Sequence, residues 1–271
     1  MKLEFLLCGS PTDGFFSQMA FFRLCLDALG GDEAQALGGG QTLIPTLKQR
    51  LNQPGTLVSL LGIKDLVGVS SDGGILTIKG ATNHATVVKE TASIFPGLSA
   101  LVAKIGDPAV RNRGTIGGSV ANNDPSACYP AAIMACQGTV MTNAREIPAD
   151  DFFQGMFATA LEEGEIVTGV KFPIPAASNY QKFEQPASRF PLTGVFVAKY
   201  GDRVGVGVTG ASNNGVFRWT EAEEALASNF SADAIKGLSV PSDDMISDLH
   251  GSAEYRAHLV KVLTGRAVAA C

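Results

Sequence analysis

Two side-chain-poor segments set the terms on which this chain can fold. The first, "LGGGQTLIPTLK" (37–48), places three glycines in a row ahead of a polar pair, a proline and a lysine. The second, "RNRGTIGGSVANNDPSA" (111–127), sets paired glycines between a threonine and a serine, then runs into amides and an aspartate. Backbone this bare either turns tightly or brings its N–H groups up to a ligand where a Cβ would intervene. Successive backbone amides bind phosphate without formal charge. The pair therefore reads as two turns or as two cradles for one phosphate-bearing ligand.

The flanking residues suit the second reading. Gln41 and Thr42 add side-chain donors, and "TLIPTLKQRL" is able to start a helix whose amino end favours an anion. In the second loop the Thr115 and Ser119 hydroxyls bracket Gly117 and Gly118, while Asn122, Asn123 and Asp124 offer contacts to sugar hydroxyls. Competing phosphate and nucleophile motifs are missing. Gly38 and Gly40 have no third glycine at the dinucleotide-fingerprint spacing, no GK[ST] follows, and no G-x-S-x-G elbow occurs.

Composition narrows the partners. The 271 residues carry a formal net charge of −5 without a dense Lys/Arg cluster, which argues against nucleic acid. Thirty-one glycines exceed the usual share of roughly 7%. Cys8, Cys25, Cys128, Cys136 and Cys271 are scattered without a CxxC, and His84, His250 and His258 form no ligand pattern, so no metal site is expected. The thiols read as reduced and intracellular. Residues 15–29 are apolar, but Arg23 and Asp27 interrupt them and the run is short of the roughly 20 residues of a spanning helix. An amphipathic helix ending at Gly30–Gly31 is expected, with no membrane span and a cytoplasmic location.

From Ala36 to about Pro175, glycine-bounded β-type runs such as "TLVSLLGI" and "GGILTIKGAT" alternate with helical stretches. "TVVKETASIFPGLSALVAKIG" predicts two helices punctuated by Pro96, and "YPAAIMACQGT" a buried helix closed by Gly138. Asp150 and Asp151 fit a turn or helix start. A change of texture at "FPIPAASN" (172–179) marks a linker. Beyond it, "LTGVFVAKYGDRVGVGVTGASNNGVFRW" predicts a three-stranded antiparallel meander with turns at Gly201-Asp202 and at Asn213-Asn214-Gly215. Thr220 with Glu223 fits a capping box, and "SAEYRAHLVKVLTGRAVAA" has helical apolar spacing.

Taken together, "GGGQTLIPTLKQRL" and "IGDPAVRNRGTIGGSVANNDPSACYPAA" resemble the two FAD-binding motifs of the medium subunit of molybdenum hydroxylases. That is the flavoprotein subunit of aerobic-type carbon monoxide dehydrogenases and of the xanthine dehydrogenase family. The resemblance continues through "REIPADDFFQGMFATALEEGEIVTGVKFP", "KFEQPASRF" and "SAEYRAHL", covering residues from about 31 to the end. It implies an α+β fold: a bipartite FAD-binding domain of the vanillyl-alcohol-oxidase type over residues 1–175, with subdomains meeting near 62. A small domain of a three-stranded antiparallel sheet with a helical cluster follows over 176–271.

The resemblance also implies a site. FAD's pyrophosphate is expected between Gly38, Gly39, Gly40, Gln41 and Thr42 on one side and Thr115, Ile116, Gly117, Gly118 and Ser119 on the other. Ile105 and Ile166 match apolar positions that pack on the cofactor, with ordinary core packing as the alternative. Lys182 is a looser match near the flavin edge, with a solvated surface lysine as the alternative. Two departures stand out. Many relatives carry a carboxylate where Cys128 stands, a role left to Asp124 or a water, with burial as a small apolar group as the alternative for the thiol. Residues 1–26 do not match the family's opening strand and helix.

The activity so implied is that of an oxidoreductase subunit. It receives electrons from a partner's iron–sulfur clusters onto FAD and passes them to an external acceptor. The molybdenum cofactor and the [2Fe-2S] clusters are expected on a large and a small partner subunit only, in a heterotrimer that dimerises. No catalytic acid, base or nucleophile is expected on this chain, because the flavin supplies the redox chemistry. The alternatives are a stand-alone FAD oxidase and a flavin-free structural or assembly subunit.

Overall fold

The computed structural model describes residues 4–7, 18–31 and 33–271. Its first layer is a small parallel sheet, order β1-β3-β2, built from β1 (Glu4–Leu7), β2 (Ala34–Leu37) and β3 (Thr56–Ser59). Between β1 and β2 lies α1 (Gln18–Leu29), and between β2 and β3 lies α2 (Leu43–Lys48). The expected helix ends where the glycines begin, Gly30 N–H closing it onto the Leu26 carbonyl. Although residues 1–26 depart from the family's phrase, an opening strand is present: Glu4 to Leu7 pair with Thr56 to Ser59. Cys25, Leu29, Val58 and Ile63 form the local core. Cys25 is disulfide-bonded, against the expectation of reduced thiols, whereas Cys128, Cys136 and Cys271 are free.

An antiparallel sheet in the order β4-β5-β10-β6-β7 makes the second layer. Its strands are β4 (Val69–Asp72), β5 (Ile75–Lys79), β6 (Thr139–Thr142), β7 (Glu146–Pro148) and, arriving later in the chain, β10 (Val167–Pro173). Between β5 and β6 run five helices: α3 (His84–Thr91), α4 (Pro96–Ala103), α5 (Pro108–Arg113), α6 (Ile116–Asn122) and α7 (Tyr129–Cys136). Pro96 does start α4, and α7 is buried along its whole length. Past β7, Asp150 and Asp151 lie in the single turn α8 (Ala149–Phe152), which leads into the ribbon of β8 (Phe153–Gly155) and β9 (Ala158–Thr159).

The last sheet has four strands rather than the expected three, in the order β11-β12-β13-β14. Its members are β11 (Ala177–Glu184), β12 (Pro191–Lys199), β13 (Val204–Ser212) and β14 (Gly215–Arg218). The expected linker instead runs into the additional edge strand, β11, which pairs with β12 along eight residues. Both expected turns are in place, between β12 and β13 and between β13 and β14.

β12 and β13 are buried on both faces, which explains their unbroken apolar runs. Val195 and Val197 point towards α9 (Thr220–Ser228) and α10 (Ala253–Ala269), while Phe196 and Ala198 join the core that includes α7. Gly205 and Gly207 let α7 approach: a Cβ on either would strike the Ala135 or Ala131 carbonyl. The Thr220–Glu223 capping box does not form. Thr220 lies inside α9, and the Glu223 carboxylate instead accepts from Val206 N–H and Arg218 Nε, each at 2.9 Å.

Candidate functional site: a glycine-lined cleft

β2 ends in the buried Leu37, and the chain then leaves the sheet as Gly38-Gly39-Gly40. Each glycine has a separate steric reason. A Cβ on Gly38 would sit 2.9 Å from Thr115 Oγ1, and one on Gly39 would run into the Arg113 carbonyl. Gly40 has φ +73°, where a side chain is strained and would meet Ile44. The first two contacts are with the second glycine loop, so the two segments touch. The N–H groups of residues 38–42 have no acceptor among the described residues.

The second loop is built differently from expectation. Its amides from 116 to 119 are already engaged: Ile116 N–H donates to the Thr82 carbonyl at 3.2 Å and Gly117 N–H to the Gly80 carbonyl at 2.8 Å. Gly118 N–H donates to Thr115 Oγ1, and Ser119 N–H to the Thr115 carbonyl. Gly117 is glycine because a Cβ there would stand 2.6 Å from the Gly80 carbonyl oxygen. What this loop offers a ligand is the Thr115 N–H, which has no acceptor among the described residues, and the hydroxyl groups of Thr115 and Ser119, not a row of amides.

Together the loops line a cleft of about 670 Å³, within the roughly 300–1,000 Å³ typical of small-molecule sites. Of the residues singled out in the sequence as ligand contacts, Ile116 and Asn123 are not on its wall; the Ile116 side chain is fully buried in the core. Ile105 is half-buried at the wall and Ile166 almost fully buried there, so both pack on the core and face the cleft. Lys182 is no surface lysine. Its side chain is 1% exposed, with Nζ donating to the Lys104 carbonyl at 2.7 Å and lying 3.8 Å from Glu184 Oε1.

Cys128 is buried just ahead of α7, and burial pushes its thiol up, with Lys182 partly opposing. Asp124 lines the cleft with Oδ1 accepting Ser126 N–H at 2.8 Å, and its own burial raises its carboxyl. Asn122 also reaches the wall. Asn123 does not. It sits in the left-handed region at φ 42°, and its Nδ2 donates to the Gly155 and Ala158 carbonyls at 2.8 Å each. Its role is to clamp the β8–β9 ribbon.

Several wall residues were not foreseen. Phe157, at the ribbon tip with φ 56°, and Phe190, in the β11–β12 connection, both stand half or more exposed over the cleft. Arg189 beside it has φ 61° and donates its N–H to the Gln185 carbonyl. His84, at the start of α3, is 4% exposed on the cleft floor. Left-handed backbone at Phe and Arg has no sequence signal, because such residues rarely adopt it.

Among the described residues no group of three or more His, Cys, Asp or Glu is placed to hold a metal ion, and no helix is long and apolar enough to cross a membrane.

A cleft walled by glycine backbone, by amides without acceptors among the described residues and by apolar side chains is that of a nucleotide-cofactor protein, and comparison with known proteins says which kind. Residues 21–175 match the family described as the FAD binding domain in molybdopterin dehydrogenase, and the chain belongs to that family. It is 34% identical to the nicotine 6-hydroxylase medium subunit of Paenarthrobacter nicotinovorans, covering 99% of this chain and 98% of that one. It is 32% identical to the carbon monoxide dehydrogenase medium chain of Afipia carboxidovorans, over 88% of each. Among solved structures, a carbon monoxide dehydrogenase chain from Hydrogenophaga pseudoflava superposes with a TM-score of 0.80 at 27% identity, over 100% of this chain and 97% of the other. The chain is thus an FAD-binding oxidoreductase subunit of the molybdenum hydroxylase family.

Proposed function

We propose that this chain takes electrons from a partner's iron–sulfur clusters onto FAD and delivers them to an external acceptor. The partners on this reading are a small iron–sulfur subunit and a large molybdenum-binding subunit, in a heterotrimer that dimerises. The relatives' names, medium subunit and medium chain, support that division of labour. In domain terms, residues 1–175 form the bipartite FAD-binding part, of the vanillyl-alcohol-oxidase type with a boundary near 62, and 176–271 a C-terminal part. The cytoplasm is the proposed location.

The observation that carries the reading is the contact of the two glycine loops beside amides that have no acceptor among the described residues. The donor set fits an FAD diphosphate. The backbone N–H groups of residues 38–42 have no acceptor among the described residues, Thr115 and Ser119 line the same cleft, and a Cβ at Gly38 or Gly39 would close the seam. Ile105, Ile166 and Phe157 supply apolar surface for ring systems, and the buried Lys182 ammonium adds a positive charge to the wall. When bound, the flavin accepts and releases electrons, while the protein binds it, orients it and excludes water.

The test is spectroscopic. The purified chain, reconstituted with FAD, should show flavin absorption and transfer electrons only when partner subunits are added. A chain that stays colourless even with its partners would favour a structural or assembly role, and substrate turnover by the isolated chain would favour an oxidase.

A further inference from the structure

The second loop's amides at residues 116–119 are engaged, so further donors on this side of the seam come from elsewhere, and one buried side chain is built to be one. His84 opens α3, where Asn83 caps the helix by accepting Thr86 N–H at 2.8 Å. The His84 backbone N–H donates to the Gly114 carbonyl at 2.9 Å, and Asn83 bridges to Thr115. The imidazole is thereby pinned under the second glycine loop. Its Nε2 lies so close to Gly114 that a Cβ there would be 2.6 Å away. Gly114 is in turn the residue against which Gly39 packs.

The tautomer follows from a count of partners. Nδ1 is 3.2 Å from the Tyr129 hydroxyl, and Tyr129 is fully buried with no other side-chain hydrogen-bond partner among the described residues. If Nδ1 carried the proton, the phenolic hydrogen would be buried with nowhere to donate, at a cost that buried polar groups avoid. Tyr129 therefore donates to Nδ1. The ring is neutral near pH 7, because burial and the Arg111 guanidinium hold its pKa down to about 4. A neutral ring that accepts at Nδ1 carries its proton on Nε2. That Nε2–H has no acceptor among the described residues, and it is not sealed from solvent as Tyr180 Oη and Arg256 Nε are.

We infer that His84 is a cofactor-binding residue, its Nε2–H donating to a diphosphate oxygen of FAD at the seam of the two glycine loops, with Tyr129 as the positioning residue that fixes the donor tautomer. The inference rests on the FAD reading above and adds to it a side chain outside both glycine motifs. Neutral imidazole suits the task. It donates one directed hydrogen bond without the desolvation cost of a buried cation.

The experiment uses the full chain, with any co-purifying partner, and FAD as the probe. His84→Phe, which keeps a ring but no donor, should weaken FAD binding about tenfold or more, the size of a hydrogen bond to a charged acceptor. His84→Gln, which retains an N–H, should recover part of the loss, while circular dichroism of both variants reports folding. In ¹⁵N-histidine spectra of the wild type without FAD, one residue should show a protonated Nε2 and an accepting Nδ1. Adding FAD should move that Nε2 signal, and Tyr129→Phe should convert the single tautomer into a mixture. A His84→Phe chain that folds and binds FAD as the wild type does would overturn the inference and leave the FAD reading standing. A protonated Nδ1 in the wild type, or an Nε2 signal indifferent to FAD, would overturn it too. A wild-type chain that takes up no FAD, alone or with partners, sinks both.

Discussion

Gly39 shows how much a missing methyl group can decide. Its Cα faces the Arg113 carbonyl and the Gly114 Cα, so the two loops meet only because neither has a side chain at the crossing. Gly39→Ala should force the loops apart, at about 1–3 kcal/mol of overpacking. The expected outcome is a modest fall in Tm and a much larger fall in bound flavin, read by absorbance of the purified chain. Equal flavin content in the variant and the wild type would refute the crossing as the cofactor's seat.

His84 supplies a pH prediction at the same scale. Its folded pKa is depressed to about 4 from an ordinary 6.5, so between these values the unfolded chain binds the proton that the native one refuses. Stability is therefore complete above about pH 6.5 and falls progressively as pH drops towards 4, by on the order of 3 kcal/mol in all. Carboxylates titrate in the lower part of that window, so the informative comparison is with His84→Gln. The variant's Tm should decline less than the wild type's between pH 6.5 and 5; parallel curves would show that His84 is not buried neutral.

At the scale of elements, the cleft depends on a clamp that no periodicity reveals. Asn123 ends α6 in the left-handed region, and its amide group ties down the ribbon through the Gly155 and Ala158 carbonyls. Its own carbonyl accepts Phe157 N–H at 3.0 Å, which sets the aromatic ring at the mouth. Asn123→Ala removes both side-chain bonds and puts alanine where φ is positive, so a loss of about 2–3 kcal/mol is expected. Hydrogen exchange should quicken across residues 153–160 while α7 stays protected. Unchanged exchange in the ribbon would mean that another contact holds it. The sequence reading had assigned Asn123 to the ligand, because an amide beside a glycine pair invites that role until its partners are known.

For the molecule as a whole, the cleft wall draws on the small parallel sheet, the helices of the second layer and the β11–β12 connection. A ligand that binds only the native arrangement stabilises it by mass action, roughly 2.7 kcal/mol at a hundredfold excess over Kd. For a chain of this length that should raise Tm by about 5 °C or more. Riboflavin, which lacks the diphosphate, should raise it much less than FAD. Equal shifts with the two would move the binding energy away from the glycine loops.

Much of this was legible beforehand because it is local. Consecutive glycines, a proline at a helix start and Asn-Gly turns restrict the backbone wherever they stand, so the loops, the break at Pro96 and the turns of the last sheet could be read off the chain. The linker reading of 172–179 failed for the opposite reason. An edge strand gains its identity from the neighbour it pairs with, and Ala177–Glu184 has no apolar alternation of its own to announce β12. Burial of the Lys182 ammonium, diversion of the second loop's amides into Gly80 and Thr82, and the proton on His84 Nε2 were likewise decided only by tertiary structure. Each depends on which distant group supplies or withholds a hydrogen-bond partner. The sequence by itself determined where backbone would lie bare; folding determined which of its N–H groups remained free to hold a ligand.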